Sequence, residues 1–182
     1  MARETGHLKS LYYRLLSPRV AALIVTLRED GLPNVMVAAW HTPVSVKPPI
    51  LAISIAPKRM THGLIQKSGE FTVNIPDAPL IKKVKIAGSR SGVSYNKAKL
   101  FSYIPGLSVR TPVIKNALGC IECTLNRILK MGDHSLIFGN VVAVSAKGFK
   151  EVWISSSPLL HLGSNYYTTM GRLLELKNDE LK

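Results

Sequence analysis

The residues of this chain able to do chemistry are few and scattered. His7, His41, His62, His134 and His161 lie far apart, and none forms an H-x-H or H-x-x-x-H pair, so a local zinc motif is missing. Cys120-Ile121-Glu122-Cys123 has C-x-x-C spacing, but on a strand residues three apart point to opposite faces, which predicts two ordinary thiols. No G-x-G-x-x-G follows a strand, no G-x-x-x-x-G-K-[ST] loop occurs, and no G-x-S-x-G elbow is present. A dinucleotide fold of the Rossmann type, a phosphate-loop enzyme and an α/β-hydrolase are thereby excluded. What remains is a set of cations and hydroxyls. Ala56-Pro57-Lys58-Arg59-Met60-Thr61 joins an apolar run to a predicted helix. A loop rising into a helix N-terminus offers free N–H groups, and Arg59 and Thr61 add a guanidinium fork and a hydroxyl, so phosphate could be held there. The same residues also read as a helix cap at Thr61 and a surface arginine. The loop Gly88–Lys99, GSRSGVSYNKAK, is basic, and by its residues alone it reads as a solvated surface loop.

Charge narrows the choice. The 182 residues carry a formal net charge of +13. Residues 1–80 hold nine Lys/Arg against five Asp/Glu, residues 81–130 ten against one, and residues 131–182 five against five. The excess therefore lies in Ile81–Lys130, and such a patch attracts phosphate on a nucleic acid, a membrane surface or a phosphorylated cofactor. Aromatic residues make up only 7% of the chain and are not interleaved with basic stretches, which counts against a stacking platform for nucleic acid. The longest apolar runs, Val20–Val25 and Val35–Trp40, are six residues each, far short of the ~20 that span a membrane. With no apolar run behind the N-terminus and two cysteines in all, the expectation is a soluble cytoplasmic protein of one domain over residues 1–182.

The elements that must position these residues are mostly strands. Arg19–Arg28 is apolar and β-branched and ends at Glu29-Asp30-Gly31, which predicts a strand buried on both faces and then a turn. Asn34–Trp40 reads as its hairpin partner, with Pro33 at the strand start. Ile50–Ala56 and Glu70–Ile75 are further strands, and Thr61–Ser68 and Ala78–Ala87 short helices. Gly88–Asn116 reads as a long, irregular loop, a class that is often functional. Gly119–Lys130 alternates Ile121, Cys123 and Leu125 against Glu122, Thr124 and Asn126, and Ser135–Ala146 follows after a turn. The tail Ser157–Arg172 shows no clear period. Six or more strands with two short helices predict an all-β fold, a Greek-key barrel.

Several motifs taken together carry a resemblance. These are Asn34 with Ala39-Trp40, then Pro48-Pro49 before a buried strand; Arg59 and Thr61 leading into a helix; Gly69-Glu70-Phe71 with Val73-Asn74; and Gly132-Asp133-His134 followed by Gly139-Asn140-Val141. Their order and spacing, with His161-Leu162-Gly163 and Asn165-Tyr166-Tyr167 near the end, resemble the flavin reductase-like, FMN-binding split-barrel family, in particular its flavoredoxin and archaeal ferric reductase branch. Ala39 departs from the pattern, where a serine is expected.

The resemblance implies a homodimeric Greek-key split β-barrel that binds FMN and takes electrons from NADH or NADPH. It implies that Val37, Ala38, Ala39, Trp40, Ser54 and Ile55 meet the flavin ring. Arg59, Thr61, Arg90, Ser91, Gly92 and Lys97 would serve phosphate, and His134 and Tyr167 would approach or cover the cofactor. No protein acid or base is required, since the flavin performs the chemistry. The acceptor could be a ferric chelate, free flavin or a protein. A non-catalytic FMN electron carrier is the close alternative, and a basic β-barrel that binds nucleic acid the distant one.

Overall fold

The computed structural model describes residues 7–172. A 3-10 helix, His7–Leu16, precedes twelve strands: β1 (Arg19–Val20), β2 (Ala22–Leu27), β3 (Pro33–Ala38), β4 (His41–Ser45), β5 (Ile50–Ile55), β6 (Glu70–Ile75), β7 (Tyr103–Ile104), β8 (Val113–Ile114), β9 (Gly119–Met131), β10 (His134–Ala146), β11 (Leu160–Gly163) and β12 (Tyr166–Thr168). Helix α1 (Met60–Ser68) lies between β5 and β6, and α2 (Ile81–Ser89) follows β6.

Seven strands form one antiparallel sheet in the order β3-β2-β6-β9-β10-β5-β4. The run β5-β10-β9-β6 is a Greek key, because β6, β9 and β10 follow one another among the strands of this sheet while β5, which precedes them, lies beside β10. The sheet curls but does not close. The chain steps from β3 at one end of the sheet to β4 at the other through Ala39-Trp40 alone. The Ser54 N–H bond to the Trp40 carbonyl at 2.9 Å extends the β4–β5 ladder one residue into that crossing. This is the expected split barrel, short helices included.

Each face of the sheet buries its own core. Ala22, Ile24, Leu51, Ile53, Phe71 and Ile137 fill the barrel interior. Leu23, Val25 and Val35 lie on the outer face against Leu80, Val84 and Ala87. β2 is thus buried on both sides, which is why its sequence runs apolar without alternation. Helix α2 presents Val84 and Ala87, three apart, to that outer core and leaves Lys82, Lys83 and Lys85 exposed. Helix α1 buries Ile65 in the barrel interior, a contribution of roughly 1.5–3 kcal/mol. It ends at Gly69, whose φ of 70° and N–H bond to the Ile65 carbonyl form a left-handed cap.

Several boundaries differ from expectation. β4 sits where Pro43 and the following Lys47-Pro48-Pro49 obscure a strand, and it survives at the sheet edge, where a missing N–H costs no ladder bond. The helix expected over Ala78–Ala87 begins as a 3-10 turn at Ala78–Leu80 and continues as α2 to Ser89. β3 stops at Ala38, so Trp40 lies in the crossing and not in the strand. The tail contains a hairpin, β11–β12, with β11 also paired to β1.

The connection from Ala98 to Leu118 is pinned from beneath rather than loose. Glu122, on the polar face of the β9 alternation, is 2% exposed. Its carboxylate accepts the N–H groups of Leu107 (2.8 Å), Ser108 (2.7 Å) and Val109 (3.2 Å). Glu70 accepts the Thr111 N–H at 2.9 Å, the Thr72 hydroxyl donates to the Pro112 carbonyl at 3.0 Å, and Asn74 accepts the Ile114 N–H at 2.8 Å. Polar side chains of β6 and β9 thus do for this segment what a ladder does for a strand. Glu122→Gln turns an NH2 group toward N–H donors. It is expected to lower unfolding stability by about 1–3 kcal/mol, read as a lower midpoint in urea denaturation. An unchanged midpoint would mean the three bonds contribute nothing net.

Candidate functional site

The loop Ala56–Arg59 leads from β5 into α1, and the residues flagged there converge. A cavity of about 230 Å3 is bounded by Asn34, Lys58, Arg59, Thr61, Arg90 and Lys97, with Ser91 and Gly92 in its wall. No carboxylate lines it. Thr61 is not the cap of α1. Arg59 occupies that position, in extended conformation and without a side-chain bond to the helix. The Met60 and Thr61 N–H groups therefore fall among those with no partner inside the helix. Asn34, 4% exposed, donates from Nδ2 to the Thr26 hydroxyl at 3.3 Å and to the Thr61 hydroxyl at 2.9 Å. Because the Thr61 oxygen accepts that bond, its own O–H is free to donate elsewhere.

Lys97 belongs to this cavity but differs from the flexible cation expected. It is 6% exposed, and its ammonium donates to the Ala87 carbonyl at 2.7 Å and the Val35 carbonyl at 3.0 Å. Burial, and then the neighbouring Arg59 charge, hold its pKa below the usual lysine value. Lys97 thus ties α2 to β3 and has one proton left for another acceptor.

β3 is an edge strand. The Val35 carbonyl reaches Lys97 and so points away from β2. By the alternation of an antiparallel ladder, the Val37 N–H and C=O point the same way, toward the open edge. Along this edge lies a second cavity, about 180 Å3, which runs from Met36 to Trp40 and is bounded opposite by Ser54, Ile55, Arg59 and His134. The side chains of Ala38 and Ile55 are buried in the barrel core, so these two residues offer the cavity little beyond backbone. Trp40 does not fill the barrel. Its ring stands between those of Tyr13 (5.4 Å between centroids) and His134 (5.1 Å) at the split. The Ser54 hydroxyl makes no hydrogen bond among the described residues, although a bond to nearby backbone is the common fate of a strand serine. His134 Nδ1 bonds the Asp133 carboxylate at 2.8 Å, and that bond holds the exposed carboxyl below its ordinary pKa.

A third cavity, about 230 Å3, lies beside the same edge between α2 and the β11–β12 hairpin, and Val37, Ala39, Lys85, His161 and Tyr167 line it. Tyr167 packs on His161 at 5.1 Å, and burial raises its hydroxyl pKa. Val37 borders all three cavities, and Arg59 the first two. The fourteen residues singled out thus gather along one edge.

Other side chains fall outside it. Cys120 and Cys123 are buried free thiols whose pKa values burial pushes up to about 12, which suits inert packing. His62 of α1 buries its Nε2 without a hydrogen-bond partner among the described residues. No group of three or more His, Cys, Asp or Glu able to hold a metal occurs among the described residues, and none of the helices described there is long and apolar enough to cross a membrane. Asn34 enters the sequence reading as a motif residue and not as a site residue, although it lines the first cavity. Its signal is one amide opening an otherwise apolar strand.

An open antiparallel barrel with an edge cleft ending at a helix N-terminus defines a class of small, cofactor-binding β proteins. The chain belongs to the flavin reductase-like family: the model of the flavin reductase like domain matches residues 14–170. An uncharacterized protein of Pyrococcus abyssi is 40% identical over 135 residues, 74% of this chain and 78% of that one. The FMN-binding protein of Thermus thermophilus, solved with p-hydroxybenzaldehyde bound, superposes with a TM-score of 0.84 at 28% identity, covering 97% of this chain and 99% of that one. The flavoredoxin of Methanosarcina acetivorans shares the fold, with a TM-score of 0.82 at 23% identity over 98% and 96% of the two chains.

Gly92 marks how tightly the loop closes the first cavity. A Cβ there would lie 2.4 Å from Asn34 Oδ1 and 3.1 Å from Met60 Sδ. Gly92→Ala is expected to lift the loop, at a cost of roughly 1–3 kcal/mol of overpacking. Amide hydrogen exchange across Ser91–Tyr95 should quicken, while β2 and β6 keep their protection. Unchanged exchange would show that Asn34 yields instead.

Proposed function

We propose that this protein is an oxidoreductase that holds FMN along the open edge of β3 and passes electrons from NADH or NADPH to a small acceptor. One observation carries the reading: a cationic, carboxylate-free cavity at the start of α1 runs, through Arg59 and Val37, into an unpaired strand edge. FMN has the matching shape, with a dianionic phosphate at one end and a planar ring with hydrogen-bonding edges at the other. The Thermus neighbour, named for FMN binding, supports it.

The residues divide the task. Arg59 gives a bidentate fork to phosphate, and Thr61, oriented by Asn34, a hydroxyl. Arg90, Ser91 and Gly92 close the loop over that end, and Lys97 adds a buried charge. The backbone of Val37, Ala38 and Ala39 reads the ring edge, with Ile55 backbone and the Ser54 hydroxyl opposite. Trp40 walls the ring, His134 stands at its rim, and Tyr167 covers the side toward the β11–β12 hairpin. The flavin supplies hydride acceptance and one- or two-electron release, which fits a chain without a catalytic acid–base constellation.

The net +9 of residues 81–130 suits the extra phosphate of NADPH. The working form is a cytoplasmic homodimer with the flavin near the subunit boundary. In support, Leu129, Met131, Val142 and Val144 leave apolar surface exposed on the β9–β10 hairpin, and a two-fold dimer is the commonest way to cover it. Light scattering of the FMN-loaded protein should give twice the chain mass, and a monomer with flavin bound would remove the dimer from the proposal.

Riboflavin tests the site, since it shares the ring and lacks the phosphate. Arg59→Ala and Thr61→Ala should each weaken FMN roughly ten- to a hundredfold, the effect of losing a charged hydrogen bond of ~1.5–3 kcal/mol. Riboflavin affinity should hardly change, and the two losses should not add, because they share one phosphate. The measurement is titration of apoprotein with each flavin by fluorescence quenching. Equal loss for both flavins would mean damage to the fold.

A further inference from the structure

A larger cavity lies on the other side of Trp40. It measures about 570 Å3, within the range of roughly 300–1000 Å3 typical of small-molecule sites. Its floor is the outer face of β5 and β10, at Ala52, Ser54 and Leu136, and the 3-10 helix supplies Tyr12 and Tyr13. Tyr12, Tyr13, Trp40 and His134 form a file of rings with successive centroids 5.9, 5.4 and 5.1 Å apart. That file leads from this cavity to the one along β3, and Trp40 and Ser54 line both.

The charge here is simple. Arg19 is the one charged side chain in the lining, and no carboxylate accompanies it. Its Nε donates to the Leu16 carbonyl at 3.1 Å, which fixes the guanidinium at the end of the 3-10 helix. Among the described residues it has no ion-pair partner. His41, also in the lining, bonds the Val20 carbonyl through Nε2 at 3.0 Å, and burial, with the Arg19 charge, keeps its ring toward the neutral form. Arg19 is therefore the fixed cation, set against flat aromatic walls.

We infer that this cavity is a second ligand site, built for a planar aromatic carboxylate seated beside the flavin ring. Arg19 takes the carboxylate and Tyr13 and Trp40 the ring. Naming this ligand class rests on the oxidoreductase reading, because the site gains a use from the redox cofactor next door, yet binding can be measured with or without flavin.

The probes are 2-naphthoate and its uncharged isostere 2-naphthamide, titrated by calorimetry into both the FMN-loaded and the flavin-free protein. Naphthoate should bind at least tenfold tighter than naphthamide, the scale of one charged hydrogen bond. Arg19→Gln should erase that preference, Arg19→Lys should restore part of it, and Tyr13→Ala should weaken both ligands. FMN affinity should not change in Arg19→Gln, a readout that also separates a local effect from misfolding. Equal affinity for the two probes, a preference that survives Arg19→Gln, or no heat at millimolar naphthoate overturns the inference. So does a fall from dimer to monomer mass in Arg19→Gln with naphthoate binding intact, which would make the cavity a subunit interface. Failure of FMN to bind while naphthoate binds would sink the oxidoreductase reading and leave this site standing.

Discussion

A sheet that curls without closing must leave strand edges, and an edge is a row of unpaired N–H and C=O groups. Here the constraint is built into the connectivity. Two residues carry the chain from β3 to β4, so the two end strands meet end to end and cannot pair side by side. β3 keeps one open edge as a result. Near Val35 the protein satisfies that edge itself, with the Lys97 ammonium. Beyond Val37 it does not, and there the cavities line up. The opening is thus a consequence of topology, and the side chains around it are what give it chemical character.

Two buried charges organise that surround, and they have opposite signs. Lys97 draws β3 and α2 together through carbonyls, whereas Glu122 gathers three N–H groups of the segment outside β9. Neither forms a close ion pair with the other residues described. An ion spread over several backbone dipoles is stabilised without a counter-ion, because charge-assisted bonds to peptide groups offset desolvation. Such bonds fix where a loop runs, since moving the loop strands both the charge and its partners. The long connection after α2 is therefore held in place although only a 3-10 turn and the short β7–β8 pair give it regular structure. Glu122 is also the one acid in residues 81–130. With that acid buried, the whole outward charge of the segment is cationic.

The strands were legible where burial was uniform or strictly alternating. Ala22–Leu27 and Ile50–Ile55 announce themselves because both faces, or one face and a turn, are apolar. β4 was not, because Pro43 and the exposed Thr42 and Val44 carry no pattern an edge strand must have. The burial of Glu122 was not legible, because alternation gives the face and says nothing of what covers that face. The Arg59–Thr61 region could be read, since a strand, a loop and a helix start specify a geometry. The clamp by Asn34 could not, as it joins residues 27 apart through hydrogen bonds that leave no local trace.

Ala39 sharpens the point about what a sequence motif encodes. The family pattern leads one to expect a hydroxyl there, yet Ala39 lies in the crossing after β3 and borders two cavities at once. At such a place the peptide groups reach the opening whatever the side chain. A hydroxyl without a hydrogen bond among the described residues comes from across the split, on Ser54, whose own N–H bonds the Trp40 carbonyl. Substituting serine by alanine at 39 removes one donor from the wall and leaves the backbone edge and the Ser54 hydroxyl in place. A side-chain change alters little where backbone groups line an opening, and here they do so because the barrel that does not close leaves the edge of β3 open.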